Sequence, residues 1–115
     1  MAKLIALFTR KPDSSRAEFR DYYEHQHAPF TTSLFGHLWT SYTRNYLAED
    51  GSGPDVVTEI VFHDDAAMQE MFAITQRDPA IRDAIFADEA AFMDRSVTRM
   101  FLSTEASSTE LPGPA

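Results

Sequence analysis

The chain lacks several features that would mark common classes of enzyme. It has no cysteine, which excludes disulfides and thiolate chemistry and is compatible with a reducing cytoplasm. It has only 4 glycines, and no phosphate loop, dinucleotide fingerprint or serine-centred elbow occurs in it. No apolar run approaches the roughly 20 residues that span a bilayer, and the first residues lack a cleavable signal pattern. We therefore expect a cytoplasmic protein with no membrane partner and no cofactor.

Basic residues are also scarce. The chain has 10 lysines and arginines against 18 aspartates and glutamates, which gives a formal net charge of −8. Such a surface repels phosphate backbones, so nucleic acid is not an expected partner. The 43% of hydrophobic residues is ordinary for a globular protein, and 115 residues allow one domain at most.

Short apolar strands alternate with amphipathic helices along the chain. A capping box from Ser15 to Glu18 begins the first helix. Pro29 disfavours a helical residue before it, so the helix should end or kink near His27. A second helical region begins at Asp64, and strands are predicted over residues 3–9, 38–47, 56–62 and 96–103.

The order β-α-β-β-α-β predicts an α+β, ferredoxin-like fold with a four-stranded antiparallel sheet. This domain covers residues 1–103, and the Ser-, Thr- and Pro-rich segment 104–115 is expected to be disordered. Both helices would cover one face of the sheet. Each strand nevertheless carries apolar or aromatic residues on both faces, so the other face also needs a cover. A second copy of the chain is the simplest one, which predicts a homodimer with its sheets face to face.

Two histidines and two tyrosines crowd the end of the first helix. His27 is the first candidate for a general base or acid, with Tyr23 on the same flank. The alternative is a histidine that caps the helix end. His25 lies about 200° away around the helix and should be solvated. Two helical histidines at this spacing cannot share a metal ion, so no metal is expected. Tyr22 is assigned to substrate binding, with core packing as its alternative.

Polar residues in the strands are the next candidates. Tyr42, Arg44 and Tyr46 alternate onto one strand face, where they would bind substrate and stabilise an enolate. The alternative is an inter-subunit or strand-to-strand contact. Glu59 sits in an apolar strand, where a carboxylate is costly unless it is paired. If unpaired, its raised pKa would suit an acid/base role.

Partners for these acids follow from the nearby bases. Glu59 is expected to pair with Arg44, Arg99 or His27. Asp88 and Glu89 are adjacent on a helix, so they should point apart, one towards a basic strand residue and the other into solvent. Pocket-lining residues are expected among the large aromatics, with core packing as the default: Phe35, Trp39 and Phe86.

The chain resembles the EthD-like family of the dimeric α+β barrel superfamily. The resemblance covers roughly Lys3 to Leu102, and several spaced motifs in order are more specific than a single short match. The matching pieces are the strand Leu4–Phe8, Phe19-x-x-Tyr22-Tyr23-Glu24-x-x-His27-x-Pro29, Tyr42-x-Arg44-Asn45-Tyr46, Thr58-Glu59-Ile60-x-Phe62 and Asp88-Glu89-x-x-Phe92-x-Asp94-x-Ser96.

The resemblance implies a homodimer with a cavity between sheet and helices. It also implies a cofactor-independent acid/base enzyme: a dehydratase, cyclase, isomerase or decarboxylase. The substrate would be an apolar carbonyl- or phenol-bearing molecule such as a polyketide or aromatic catabolite. His27 would move the proton, and Glu59 would support His27 or Arg44. Tyr23, Tyr46 and Arg44 would orient the substrate or stabilise an enolate. The alternatives are a non-catalytic carrier or accessory protein in an oxidative, ether-degradation-like pathway, and a haem-binding protein. Fold alone does not choose among these.

Overall fold

Four strands form one antiparallel sheet in a computed structural model that describes residues 2–48 and 53–114. The strand order is β2-β3-β1-β4, and every neighbouring pair is antiparallel. This confirms the predicted α+β, ferredoxin-like class. The strands are β1 (Lys3–Phe8), β2 (Trp39–Tyr46), β3 (Val56–Phe62) and β4 (Arg99–Ser103).

The helices pack on one side of this sheet. The capping box at Ser15 is present, with the hydroxyl accepting from the Glu18 N–H and the Glu18 carboxylate accepting from the Ser15 N–H. Aspartates cap the two later helices, as their short acidic side chains favour. The helices are α1 (Arg16–Tyr22), α2 (Ala28–Phe35), α3 (Asp65–Arg77) and α4 (Pro79–Ala90).

The regular α-helix is interrupted near His27, as predicted, but the helical segment does not end there. A π-helical turn over Tyr23–His27 joins α1 directly to α2, in which the Ala28 N–H donates to the Tyr23 carbonyl five residues back. This wider turn accommodates the ring of Pro29, which clashes with the preceding turn of a regular α-helix. The proline therefore widens the helix and does not end it, and His27 stays inside a continuous helical segment.

Strand alternation places the core between sheet and helices. On β1, Leu4, Ala6 and Phe8 are buried under the helices, while the residues between them are only half buried. On β3 the same alternation buries Thr58 and Ile60. Two buried clusters result, one centred on Phe8, Phe19, Tyr23 and Phe92, the other on Leu4, Phe35, Trp39 and Phe62.

The outer face of the sheet is apolar at its centre and polar at one edge. Ile5 and Val57 are half buried there, and Phe101 of β4 is 41% exposed. The β2 residues on this face, such as Thr43 and Asn45, are polar and exposed. The prediction that every strand is apolar on both faces is therefore wrong for β2, whose aromatic side chains all lie under the helices.

Residues 104–114 have no regular secondary structure and are exposed, and the Glu105 carboxylate lies 2.7 Å from the Lys3 ammonium. Disorder of this segment stays a prediction. In the part of the chain that the structure describes, no helix is both long and apolar enough to cross a bilayer.

Candidate active site

A buried histidine–carboxylate pair lies where the π turn meets α4. His27 is 4% exposed, and its Nδ1 is 2.5 Å from Oδ2 of Asp88. The hydroxyl of Tyr22 donates to the other Asp88 oxygen at 2.8 Å. The carboxylate therefore holds the imidazole in one orientation and favours the tautomer with its proton on Nδ1, so Nε2 is the nitrogen that can accept a proton.

Aromatic rings enclose this imidazole on several sides. Tyr23 stands edge-on to it with centroids 5.0 Å apart, and Phe92 lies at the same distance. Burial among these rings lowers the pKa of His27, although the Asp88 hydrogen bond and charge oppose the shift. The histidine is therefore neutral at physiological pH, which is the state a general base requires.

A cavity of about 550 Å³ opens between the sheet and the helices, and His27 lies in its wall. A space of this size fits a small organic molecule. Most of its lining is aliphatic or aromatic, and the polar side chains include several threonines and the charged residues Arg82, Glu89 and Arg95. The predicted pocket residues Phe35, Trp39 and Phe86 all lie in its wall.

A short chain of hydroxyls crosses the same wall. The Tyr42 hydroxyl donates to the Tyr23 hydroxyl at 3.1 Å, and the latter lies 2.6 Å from Oγ1 of Thr58. Burial is the main cause that raises the pKa of both tyrosines, that of Tyr23 well above its usual value. Both stay protonated at neutral pH, so they serve as hydrogen-bond partners and not as bases.

Arg44 and Tyr46 hold a carboxylate of the π turn. Arg44 makes a bidentate bond to Glu24, with Nε at 2.9 Å and a terminal nitrogen at 2.6 Å, and the Tyr46 hydroxyl donates to Glu24 at 2.5 Å. The Arg44 hydrogen bonds are the main cause that lowers the pKa of Glu24 to about 2. The contact joins β2 to the π turn. The two interpretations from sequence were substrate binding and an inter-subunit or strand-to-strand contact, and neither included it.

Three predicted substrate residues stand behind the cavity wall. Tyr22, Arg44 and Tyr46 do not line the cavity as the described residues outline it. Each holds a residue that lies closer to the cavity. Tyr22 binds Asp88, and Arg44 and Tyr46 bind Glu24 of the π turn. Their direct contact with a substrate stays a prediction, and the set of residues that line the cavity does not favour it.

Glu59 lies on the opposite face of the sheet from His27. Alternation along β3 buries Thr58 under the helices and turns Glu59 outwards. It pairs with the Lys3 ammonium at 2.8 Å and accepts from Asn45 at 3.0 Å, and the Lys3 hydrogen bond is the main cause that lowers its pKa. The expected pairing with Arg44, Arg99 or His27 is therefore wrong, and the structure does not bring Glu59 to the candidate site.

The adjacent acids on α4 also differ from expectation. Asp88 meets the histidine of the π turn, not a strand base. Glu89 is only 8% exposed, and it contacts Nε of Arg95 at 3.3 Å. It lines the cavity, which the sequence interpretation missed. His25 lies on the surface as predicted, with 72% of its side chain exposed.

The EthD domain model matches residues 11–96, three quarters of the chain. The chain belongs to the EthD family. The predicted resemblance is confirmed, and the matched segment runs from the turn before α1 to the turn before β4. No curated protein matches the sequence.

Several solved structures share the fold of this EthD chain. An EthD family protein from Bacillus halodurans is 21% identical, with a TM-score of 0.66 over 92% of this chain and 99% of its own. SnoaB from Streptomyces nogalater, a cofactor-independent oxygenase, is 18% identical, with a TM-score of 0.60 over 94% and 95%. A dimeric ferredoxin-like protein of unknown function from Bacteroides fragilis is 12% identical, with a TM-score of 0.58 over 89% and 93%. At these identities the likeness shows the fold.

Within the described part of this EthD chain, no three His, Asp or Glu side chains come together as metal ligands. The polar groups that meet the cavity come from widely separated segments: the π turn, α2, β2, β3, α3, α4 and the segment after α4. The arrangement offers a neutral imidazole with a fixed tautomer, protonated hydroxyls and one buried carboxyl beside an apolar space. Such a set can transfer protons and bind oxygen atoms of a small ligand.

Proposed function

We propose that this chain is a cofactor-independent acid/base enzyme acting on an apolar carbonyl- or phenol-bearing small molecule, such as a polyketide or an aromatic catabolite. The observation that carries the proposal is the His27–Asp88 pair in the wall of an apolar cavity. We further propose that the protein works in the cytoplasm as a homodimer, in keeping with the dimeric neighbour of the same fold.

His27 performs the central step. Its Nε2 takes a proton from a carbon next to a carbonyl or from a phenol, while Asp88 stabilises the imidazolium that forms. When a C–H bond breaks, its electron pair forms a C=C bond, the π pair of the C=O bond moves onto oxygen, and an enolate results. Hydroxyls of Tyr23, Tyr42 and Thr58 lie in the same wall and supply hydrogen bonds to the oxygen that gains charge. Dehydration, cyclisation, isomerisation and decarboxylation all pass through such an intermediate.

A catalytic role explains why the cavity wall contains the His27–Asp88 pair, which a purely apolar pocket does not need. Burying an ionisable pair is costly, and replacement of such a pair by apolar residues is often neutral or stabilising. SnoaB, a cofactor-independent oxygenase, has the same fold, which supports cofactor-free chemistry in this type of cavity. The alternative is a carrier or accessory protein, which the predominance of apolar side chains in the cavity wall favours.

Trp39 allows binding and turnover to be measured separately. It is the only tryptophan and it lines the cavity, so its fluorescence reports occupancy. The probe is β-tetralone, an apolar bicyclic ketone with acidic α-protons. Binding is followed by fluorescence, and exchange of the α-protons with deuterated water is followed by proton NMR, for wild type, His27→Ala and the matched surface variant His25→Ala.

We expect exchange above the buffer rate in wild type and in His25→Ala. In His27→Ala it should fall by about 10²-fold or more, with fluorescence quenching retained. Quenching with exchange at the buffer rate in all three proteins would establish a carrier. A Soret shift of added haemin in wild type that is lost in His27→Ala would instead support haem binding.

A further inference from the structure

Glu89 is a buried carboxyl that the proposed reaction has not used. It lies in the last turn of α4, next to Asp88, and it is 8% exposed. It lines the same cavity as His27. Neighbouring residues of a helix are about 100° apart, so Asp88 meets the histidine while Glu89 meets the cavity directly. One helix end thus supplies both the support for the base and a second ionisable group.

One cation accompanies this carboxyl. Arg95, in the turn after α4, places Nε 3.3 Å from Glu89, and its guanidinium lies 4.1 Å from the centre of the Phe86 ring. Both of these residues also line the cavity. Asp88 on the same helix also acts on Glu89, and the cavity wall holds two further ionisable groups, Arg82 of α4 and His27 of the π turn. Burial is the main cause that raises the pKa of Glu89, with Arg95 opposing and Asp88 adding to the shift.

We infer that Glu89 is the general acid of this cavity, working as the partner of the base His27 and giving its proton to the oxygen of the ligand. The inference rests on the proposed function. In enolisation, His27 takes the proton from carbon, the C–H electron pair forms the C=C bond, and the C=O oxygen takes the proton of Glu89. The product is a neutral enol, and Arg95 stabilises the carboxylate that remains.

The same pair favours dehydration of a β-hydroxy carbonyl compound. There His27 removes the α-proton, the C=C bond forms, the C–O bond to the hydroxyl breaks, and Glu89 protonates the departing oxygen so that it leaves as water. Proton exchange with solvent returns His27 to its neutral form and Glu89 to its acid form. Of the four reaction types in the proposal, dehydration gains most from such an acid, because hydroxide is a poor leaving group.

Two probes separate the acid from the base. Exchange of β-tetralone α-protons needs both groups. Ring opening of a nitrobenzisoxazole needs only a base, because the C–H and N–O bonds break together and the released nitrophenolate is stable without a proton. Both rates are measured for wild type, Glu89→Gln and His27→Ala. Glu70→Gln is the matched control, since Glu70 forms an exposed ion pair with Arg77.

We expect Glu89→Gln to slow exchange by about 10²-fold. Its effect on the rate of ring opening should be at least tenfold smaller. His27→Ala should lose both activities. Equal losses in the two reactions, or wild-type exchange in Glu89→Gln, would overturn the role of Glu89 and leave that of His27. Wild type at the buffer rate with both probes would overturn the proposed function and the acid together. Glu70→Gln should match wild type in both reactions.

The pH profile gives a readout that a structural role would not produce. As pH increases in wild type, loss of the His27 proton should raise the exchange rate and loss of the Glu89 proton should lower it, with burial lowering the first pKa and raising the second. Glu89→Gln should lose the falling limb. Arg95→Met removes the cation that lowers the pKa of Glu89, so the falling limb should move to higher pH. A limb that stays in place in Arg95→Met contradicts the assignment.

Discussion

At the scale of single residues, Asp88 determines what the neighbouring imidazole can do. Its carboxylate binds Nδ1 of His27 and leaves Nε2 for the ligand. An asparagine in its place keeps a similar shape, but it carries no charge and its amide can donate to the imidazole, which favours the wrong tautomer. The dyad therefore depends on the charge of residue 88 as well as on its size.

We predict that Asp88→Asn slows β-tetralone exchange by at least about tenfold while Trp39 quenching by the ketone is retained. The measurement is the same NMR and fluorescence pair. Asp83→Asn is the control, since the Asp83 side chain is on the same helix and 75% exposed. Exchange at the wild-type rate in Asp88→Asn would show that the pair has only a structural role.

Little of this residue-level arrangement could be predicted from sequence. His27 was identifiable because proton-transfer residues cluster around it. Glu59 was wrongly expected to pair near the site, because alternation along a strand does not say which of its two faces points inwards. Asp88 and Glu89 were visible as adjacent acids. Which of them meets the histidine depends on how α4 packs against the π turn, a tertiary contact that local spacing does not encode.

At the scale of secondary-structure elements, the contact between Glu24 and Arg44 fastens the π turn to β2. Both side chains are mostly buried, with 30% and 23% exposed. The folded state lowers the pKa of Glu24 from 4.5 to about 2. A lowered carboxyl pKa stabilises the fold fully above 4.5, and this contribution is lost as pH falls from 4.5 towards 2.

We predict that Arg44→Met unfolds at a lower urea concentration than wild type at neutral pH, because it leaves Glu24 buried without its cation. The difference in unfolding free energy should shrink as pH falls below 4.5. Arg77→Met, which breaks an exposed pair with Glu70, should unfold at close to the wild-type urea concentration. A gap between Arg44→Met and wild type that is independent of pH would rule out this linkage.

Most elements were predictable because their signals are local. Period-two alternation and β-branched residues marked the strands, and capping residues such as Ser15 and Asp78 marked helix starts. The π turn was not predictable in the same way. Pro29 ordinarily signals a helix end. Here the helical segment continues past it, because burial of Tyr23 and His27 against the sheet offsets the free energy that the wider turn costs.

At the scale of the whole molecule, the outer sheet face is the surface on which a second copy would pack. Ile5, Leu7 and Val61 are half buried there, and Phe101 is 41% exposed beside them. An apolar face of this kind, rimmed by the polar edge of β2, is typical of an interface. The ferredoxin-like class followed from element order, but the polar β2 edge limits how much of the face a partner would cover.

We predict that the wild-type chain sediments as a dimer and that Phe101→Asp shifts it towards monomer, because a carboxylate in an apolar interface is costly when unpaired. Leu111→Asp is the control, since Leu111 is a 74% exposed apolar residue in the C-terminal segment. It should stay dimeric. A wild-type monomer at micromolar concentration, or a dimeric Phe101→Asp, would argue against this face.

Because of the π turn, the candidate chemistry depends on the exact number of residues between α1 and α2. A π turn holds one residue more than an α-helical turn, so removal of one residue would let it close as an α-helical turn against the ring of Pro29. An in-frame loss of one codon between Tyr22 and Ala28 would therefore leave the histidine in the gene but remove the wider turn that places it beside Asp88. A one-residue gap at this place in an alignment of EthD sequences would then separate members that keep this dyad from members that use the same cavity differently.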